Sequence, residues 1–233
     1  SYTKYAIMDL IQYEKVCFID ADSIVTNNID HLFKLQTPVG VFSNHWFDTI
    51  HPNEKFNSKT CNYYIDVNPL DQITPKLIHQ SLTKNGFVTS GNLLILSPNK
   101  SELKEMIEKA TSLEPFGFNC SSGGDEQLIC YYQSIIKKRE WTCLKQPYNV
   151  VPWKLDETLL TGQKPYIIHF NMTPKPWNTE RLKWIDNEIW WEYANNVSKI
   201  DSVLKKLKIE YKDVKLTYCP FCHIIDKNKQ KNN

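Results

Sequence analysis

The run Val16-Cys17-Phe18-Ile19-Asp20-Ala21-Asp22 sets a short apolar strand directly against two carboxylates one residue apart. Four residues with no polar position are the pattern of a strand buried on both faces, as in a parallel sheet. Such a strand normally gives way to a turn built from Gly, Asn or a single Asp. Two like charges this close raise each other's pKa unless a cation or hydrogen-bond donors compensate. On these residues alone the stretch is either a loop with an Asx-turn or part of a cation site, and the rest of the chain decides between them.

Outward from this strand, apolar runs and helical periodicity alternate. Val39-Gly40-Val41-Phe42 reads as a second strand, Phe87 to Leu96 as a third interrupted by Thr89-Ser90-Gly91, and Tyr166 to Phe170 as a fourth. Helices are predicted over Thr3 to Tyr13, after an Asn28 cap with Ile29, Leu32 and Phe33, from Pro75 to Leu82, and from an Asn99 cap to Ala110. Gly123-Gly124 opens another, with Leu128, Ile129, Tyr132, Ile135 and Ile136 on its apolar face. The last is a long helix from Asp186 to Leu207 with Ile189, Trp190, Tyr193, Val197 and Ile200 inward. Ser43 to Asn85 is irregular and reads as a long functional or mobile insertion. The alternation predicts an α/β fold with a mostly parallel mixed sheet flanked by helices. The expected organisation is one domain over residues 1–208 and a basic, polar tail over 209–233, with no internal repeat.

With 233 residues, 41% hydrophobic and 23% charged, the chain has ample material for a packed core. A net charge of +2 gives no footprint for nucleic acid. No apolar run approaches the ~20 residues of a membrane span, and no signal peptide opens the chain. The seven scattered cysteines do not form a disulfide framework. Cys17, Cys130 and Cys143 lie in apolar patterns as core filler. Cys219-Pro220-Phe221-Cys222, followed by His223, is half a zinc site, a redox pair or neither. A reducing, cytoplasmic or intracellular setting is expected. The chain opens at Ser1 on a helical pattern, which suggests a fragment.

Three further stretches bear on Asp20 and Asp22. In Val88-Thr89-Ser90-Gly91-Asn92 a glycine interrupts a strand, which marks a bulge or a close approach of backbone to ligand. Ser122-Gly123-Gly124-Asp125-Glu126-Gln127 delivers carboxylates and an amide at a helix start. His169-Phe170-Asn171-Met172-Thr173-Pro174-Lys175-Pro176-Trp177-Asn178 ends a strand in a histidine, then presents a lysine beside a tryptophan on a proline-stiffened loop. Each has a plain structural alternative: a core histidine, a packed tryptophan, a solvated lysine. Taken in order, and together with Thr3-Lys4, Gln12-Tyr13, Asn28-Ile29-Asp30-His31-Leu32-Phe33 and Tyr148-Asn149, they resemble the glycogenin-like members of glycosyltransferase family 8. The resemblance runs from the first residues to about Asn178.

That resemblance implies a GT-A (Rossmann-like) fold and transfer of a hexose, with retention at the anomeric carbon, from a UDP-sugar to a glycan or protein acceptor. UDP-glucose and UDP-galactose are the donors it favours. It assigns Asp20, Asp22 and His169 to a divalent cation, manganese by family habit and magnesium as the alternative. A hard cation wants oxygen ligands, and one imidazole favours manganese. Asp125 and Lys175 take catalytic roles, Asp125 at the reacting sugar and Lys175 at the diphosphate. Lys4, Asp20, Ala21, Asp22, Thr89, Ser90, Gly91, Gly124, Asp125, Gln127, His169 and Lys175 form the donor site. Thr89 stands where the family usually has Asn, and Ser122 where it often has Asp. Gly-Gly-Asp-Glu-Gln replaces Gly-Gly-Asp-Gln, so either Glu126 or Gln127 serves the amide role.

The family's first β-α-β unit is expected to precede Thr3, so the chain carries the metal and diphosphate half of a site. The sheet edge this leaves admits a homodimer. Two alternatives are a non-catalytic nucleotide-sugar or glycan-binding relative and a metal-dependent phosphohydrolase, which would not need the His-Phe to Lys-Pro-Trp-Asn element. Trp46, His45, Tyr63 and Tyr64 of the insertion are placed where an acceptor could rest or simply pack. The segment Val151 to Pro165 carries no tyrosine, so transfer to a separate acceptor is expected rather than self-glycosylation there.

Overall fold

The computed structural model describes residues 2–42, 68–85, 89–111, 124–145, 147–152, 155–160, 162–171, 175–178 and 185–195. Most of the insertion, Ser122 and Gly123, the Cys219/Cys222 pair and the 209–233 tail lie outside the described residues. The chain divides into two compact units. The first comprises Ser1–Asp20 and Ile29–Tyr148, the second Ala21–Asn28 and Asn149–Asn233.

The first unit is built on a five-stranded sheet in the order β1-β5-β3-β6-β4. Its strands are β1 (Val16–Ile19), β3 (Val39–Val41), β4 (Gln72–Ile73), β5 (Ser90–Leu96) and β6 (Trp141–Leu144). β5 runs antiparallel to both β1 and β3, with Phe18 opposite Leu94 and Gly40 opposite Leu94 from the other side. β3 and β6 pair in parallel, and β4 closes the far edge antiparallel to β6. The sheet is therefore mixed, as expected, but among its described strands parallel pairing is confined to β3 and β6. The difference has a physical source: an apolar run does not encode strand direction, and β1, expected to be buried on both faces, is only half-buried at one edge of the described sheet.

Helices α1 (Pro75–Asn85), α2 (Lys100–Thr111) and α3 (Gly124–Cys130) pack in this unit, α3 running on as a π-helical turn over Tyr131–Ile136. Asn99 Oδ1 accepts from the Ser101 and Glu102 amides at 3.1 and 3.2 Å, so α2 starts on the cap the sequence predicts. Tyr5, Met8, Leu94, Leu128, Tyr132 and Trp141 lie in one buried cluster. Trp141 meets Phe42 edge-on at 5.6 Å and donates its indole N–H to Ser134 Oγ at 3.0 Å. Two predicted helices take other forms. Thr3 to Tyr13 is a 3₁₀ segment over Tyr2–Asp9, and the segment after Asn28 is a 3₁₀ turn, Asp30–Lys34, whose N-cap is Ile29 without a side-chain cap bond.

The close packing around β3 makes a direct prediction. A Cβ on Gly40 would stand 2.8 Å from Thr89 Oγ1 and 2.9 Å from Trp141 Cζ3, inside contact distance of a wholly buried ring. Gly40→Ala should cost about 1–3 kcal/mol, the usual range for overpacking. Urea denaturation of the two proteins measures it, and an unchanged midpoint would show that the core yields freely here.

The second unit pairs β2 (Ser23–Val25) with β7 (Ile167–His169) antiparallel, Ser23 opposite His169. Val150 bridges to Ile168 in parallel. Helices α4 (Leu155–Leu160) and α5 (Ile185–Asn195) belong to the same unit. Its own core gathers Ile24, Val150, Leu155, Leu159, Ile168, Phe170 and Ile189, with Trp190 and Tyr193 packed against it. The predicted long helix is described only to Asn195, so its Val197 and Ile200 lie outside the described residues.

Candidate active site

In the second unit the β2–β7 register decides which side chains meet. Ser23 faces His169 across the ladder, and the Phe170 amide continues it by donating to the Asp22 carbonyl at 2.8 Å. Asp22 and His169 therefore flank the same ladder end. Asp22 Oδ1 lies 3.3 Å from His169 Nε2, and the other ring nitrogen, Nδ1, is 3.2 Å from Asn149 Oδ1. With Asn149 accepting, the ring keeps a proton on Nδ1, and Nε2 points at the carboxylate. Protonated, Nε2 donates to Asp22; deprotonated, it turns a lone pair to the point that Asp22 also faces.

Lys175 completes this group. Its ammonium donates to Asp22 Oδ2 at 2.5 Å and to the Phe170 carbonyl at 2.6 Å. The His169 hydrogen bond, opposed by burial and reinforced by Lys175, holds the Asp22 carboxyl well below the usual carboxylate range. The loop residues 172–174 lie outside the described residues.

In the first unit a second charged group forms around Lys4. Its ammonium is 2.9 Å from Asp125 Oδ2 and 3.9 Å from Asp20 Oδ1, and it donates to the Gly91 carbonyl at 3.1 Å. The Gly91 amide donates to Glu126 Oε1 at 2.5 Å. A Cβ on Gly91 would stand 2.6 Å from Lys4 Nζ and 3.0 Å from Glu126 Cγ, so a larger residue here would displace the ends of both side chains. Tyr5 donates its hydroxyl to the Asp125 backbone carbonyl, and the Asp20 amide donates to the Asn92 carbonyl at 2.9 Å. Burial would raise the Asp125 carboxyl, but hydrogen bonds and positive charge, the Lys4 ammonium among them, hold it below the ordinary carboxylate range. For Glu126 burial prevails and the carboxyl is pushed up, the Gly91 amide offsetting part of the effect.

Ser90 and Gly91 begin β5, and Gly124 begins α3. Gln127 is buried, and Glu126 accepts from the Gly91 amide, which places Glu126 beside the Lys4 group. Thr89 is buried and spends its hydroxyl on the Val41 carbonyl at 3.0 Å. Ala21, exposed, joins Asp20 to Asp22. Residue-level reasoning gave no role to Asn149, Tyr5 or Asn92, although Tyr148-Asn149 stood among the motif marks. Asn92 is buried in β5 with neither side-chain polar atom hydrogen-bonded. An asparagine in the middle of an apolar strand is the signal that could have singled it out.

No family model matches the chain. It is 25% identical over 229 residues to an uncharacterised protein of Acanthamoeba polyphaga mimivirus, covering 93% of this chain and 71% of that one. It is 22% identical over 203 residues to glycosyltransferase GlyD of Streptococcus pneumoniae serotype 4 (83% of this chain, 20% of GlyD). With galactinol synthase 1 of Solanum lycopersicum it shares 20% identity over 211 residues (85% of this chain, 58% of the synthase). A solved structure of glycosyltransferase GlyE from S. pneumoniae TIGR4 superposes with a TM-score of 0.46 at 18% identity, covering 91% of this chain and 46% of GlyE. The chain thus spans about a fifth of GlyD and somewhat over half of the synthase. The named relatives agree with the resemblance to glycosyltransferase family 8.

Proposed function

We propose that this chain is the catalytic part of a metal-dependent retaining glycosyltransferase of family 8, moving a hexose from UDP-glucose or UDP-galactose to a separate glycan or protein acceptor. The observation that carries the reading is the Asp22–His169 pair, its ring braced by Asn149 and its carboxylate gripped by Lys175. A carboxylate and an imidazole turned to one point, with the outer ring nitrogen fixed by an amide oxygen, is the arrangement of a ligand pair with its supporting partner. Asp20, one residue removed from Asp22 in the chain, is the third ligand that the family resemblance assigns. Two carboxylates and one imidazole suit manganese, with magnesium as the alternative. Bound there, the cation supplies neutralising charge to the diphosphate leaving group.

The remaining work falls to the chain's own groups. Lys175 holds Asp22 in place and presents its ammonium on the diphosphate side. Lys4 keeps Asp125 ionised and oriented toward the reacting sugar, where the carboxylate serves as nucleophile or as the partner that fixes the sugar hydroxyls. Gly91 and Ser90 let the sugar approach the backbone, and Glu126 takes the position of the family amide. Thr89, Gly124 and Gln127 shape the donor pocket from behind. An Asp-x-Asp alone would also serve a phosphohydrolase. The Lys175 contact to Asp22 favours transfer from a diphosphate, since it adds a second cation on the leaving-group side.

Incubation with manganese and each UDP-hexose, with UDP release and product anomeric configuration followed by NMR, tests this. Metal-dependent UDP release with retention is expected. Hydrolysis of p-nitrophenyl phosphate without UDP release would favour the phosphohydrolase, and tight UDP binding without turnover the non-catalytic relative.

A further inference from the structure

We infer that Trp177 is the stacking platform of the acceptor, receiving the apolar face of a neutral pyranose ring. This rests on the glycosyltransferase reading and adds the acceptor's place to it. Trp177 sits in a single 3₁₀ turn, Pro176–Asn178, and is 41% exposed. It is held from behind. Its ring centroid lies 5.6 Å from that of Trp190, tilted by 43°, and Trp190 meets Trp191 edge-on at 5.0 Å. Trp190 in turn packs against the core of the second unit, and Pro176 is buried at the foot of the turn.

An indole that is braced in this way yet 41% exposed still offers apolar surface to a ligand. Covering it is favourable, and a rigid ring loses little conformational freedom in doing so. Its position decides the occupant. Lys175 Nζ lies 6.0 Å from the Trp177 centroid and 2.5 Å from Asp22 Oδ2, so the lysine ammonium stands near both the platform and the proposed leaving-group side. In a transfer with retention the acceptor hydroxyl approaches on the face the diphosphate leaves, so a sugar held beside Lys175 is in place to receive the hexose. A pyranose suits the site because its axial C–H groups present an apolar, weakly positive face to the π-cloud while its hydroxyls stay in water. The donor's base is the other flat group that could stack there, and the experiment separates the two.

Ligand-observed saturation-transfer NMR titrations with maltose, cellobiose and lactose, in the presence of UDP and manganese, are the test. Wild type should bind at least one of them saturably. Trp177→Ala should weaken that binding about tenfold, the scale of one aromatic contact, and Trp177→Phe less. UDP affinity measured on the same samples should stay at the wild-type value. Absence of saccharide binding to wild type, or equal binding to Trp177→Ala, would overturn the inference. So would parallel loss of UDP affinity, because Trp177 would then brace the Lys175 turn or stack the base. If Trp177-dependent saccharide binding is seen but no UDP-hexose is turned over, the enzymatic reading fails and the platform stands.

Discussion

Asp22→Ala is expected to abolish manganese-dependent UDP binding while leaving the chain folded. The carboxylate supplies one oxygen toward His169 Nε2 and the other to Lys175, so its removal dismantles a ligand and frees an ammonium at once. Lys175 would keep its bond to the Phe170 carbonyl, at 2.6 Å, but lose the carboxylate that aims it, a poorer fix for a charge meant to meet phosphate. The fold should persist, because residue 22 serves β2–β7 pairing through its backbone carbonyl, which accepts from the Phe170 amide and survives the substitution. The folded-state pKa of Asp22 is lowered, so its stabilising contribution is present above the ordinary carboxylate value and is lost as pH falls through the lowered one. At neutral pH the variant therefore loses a modest ion-pair contribution, not the core of the unit. Calorimetry with UDP and manganese reads the binding, and circular dichroism the fold. An affinity equal to wild type would remove Asp22 from the ligand set.

Much of this site was legible because its parts are local. β1 ending in Asp20-Ala21-Asp22, β5 opening at Ser90-Gly91 and the Asn99 cap of α2 each depend on a few consecutive residues, and each lies where the pattern put it. The elements that went unread are short and not periodic. β2 has three residues, Ser23–Val25, and β6 four, Trp141–Leu144, too few to show a period or to stand apart from a loop. Strand direction was illegible for the reason given above. Lys4 could be marked from the family resemblance, but its contact with Asp125 joins positions far apart in the chain and depends on the missing side chain of Gly91. The choice between Glu126 and Gln127 was likewise a question of which face of α3 turns to Gly91, and one helical step separates the two. Cys143, read as core filler, is a buried free thiol that burial pushes up to about 11, whereas Cys17, read the same way, is only partly buried in β1 and is raised likewise.

Asp125→Asn should lower kcat by about 100-fold or more with UDP affinity little changed, the scale expected for losing a positioned charged group at the reacting centre. The substitution keeps size and shape and removes only charge. Lys4, 2.9 Å from Asp125 Oδ2 but 3.9 Å from Asp20, would lose its nearest anion and retain the Gly91 carbonyl. The competing account is structural: Asp125 lies in the first turn of α3, where a negative charge favours the exposed amides of a helix start. That role is worth about 0.3–1 kcal/mol and is screened by salt. The two accounts separate cleanly. A structural Asp125 predicts a slightly lower melting temperature and nearly normal turnover of the UDP-hexose. A catalytic one predicts the reverse, a stable protein that binds UDP and scarcely turns over. Because the wild-type carboxyl is held low, with the Lys4 ammonium among the causes, Asp125 is ionised throughout the neutral range, and its loss should depress turnover equally at mildly acidic and neutral pH. A deficit that disappears at one end of that range would assign the titrating role to a neighbour, and Glu126, whose carboxyl burial pushes up, is the group in place to hold it.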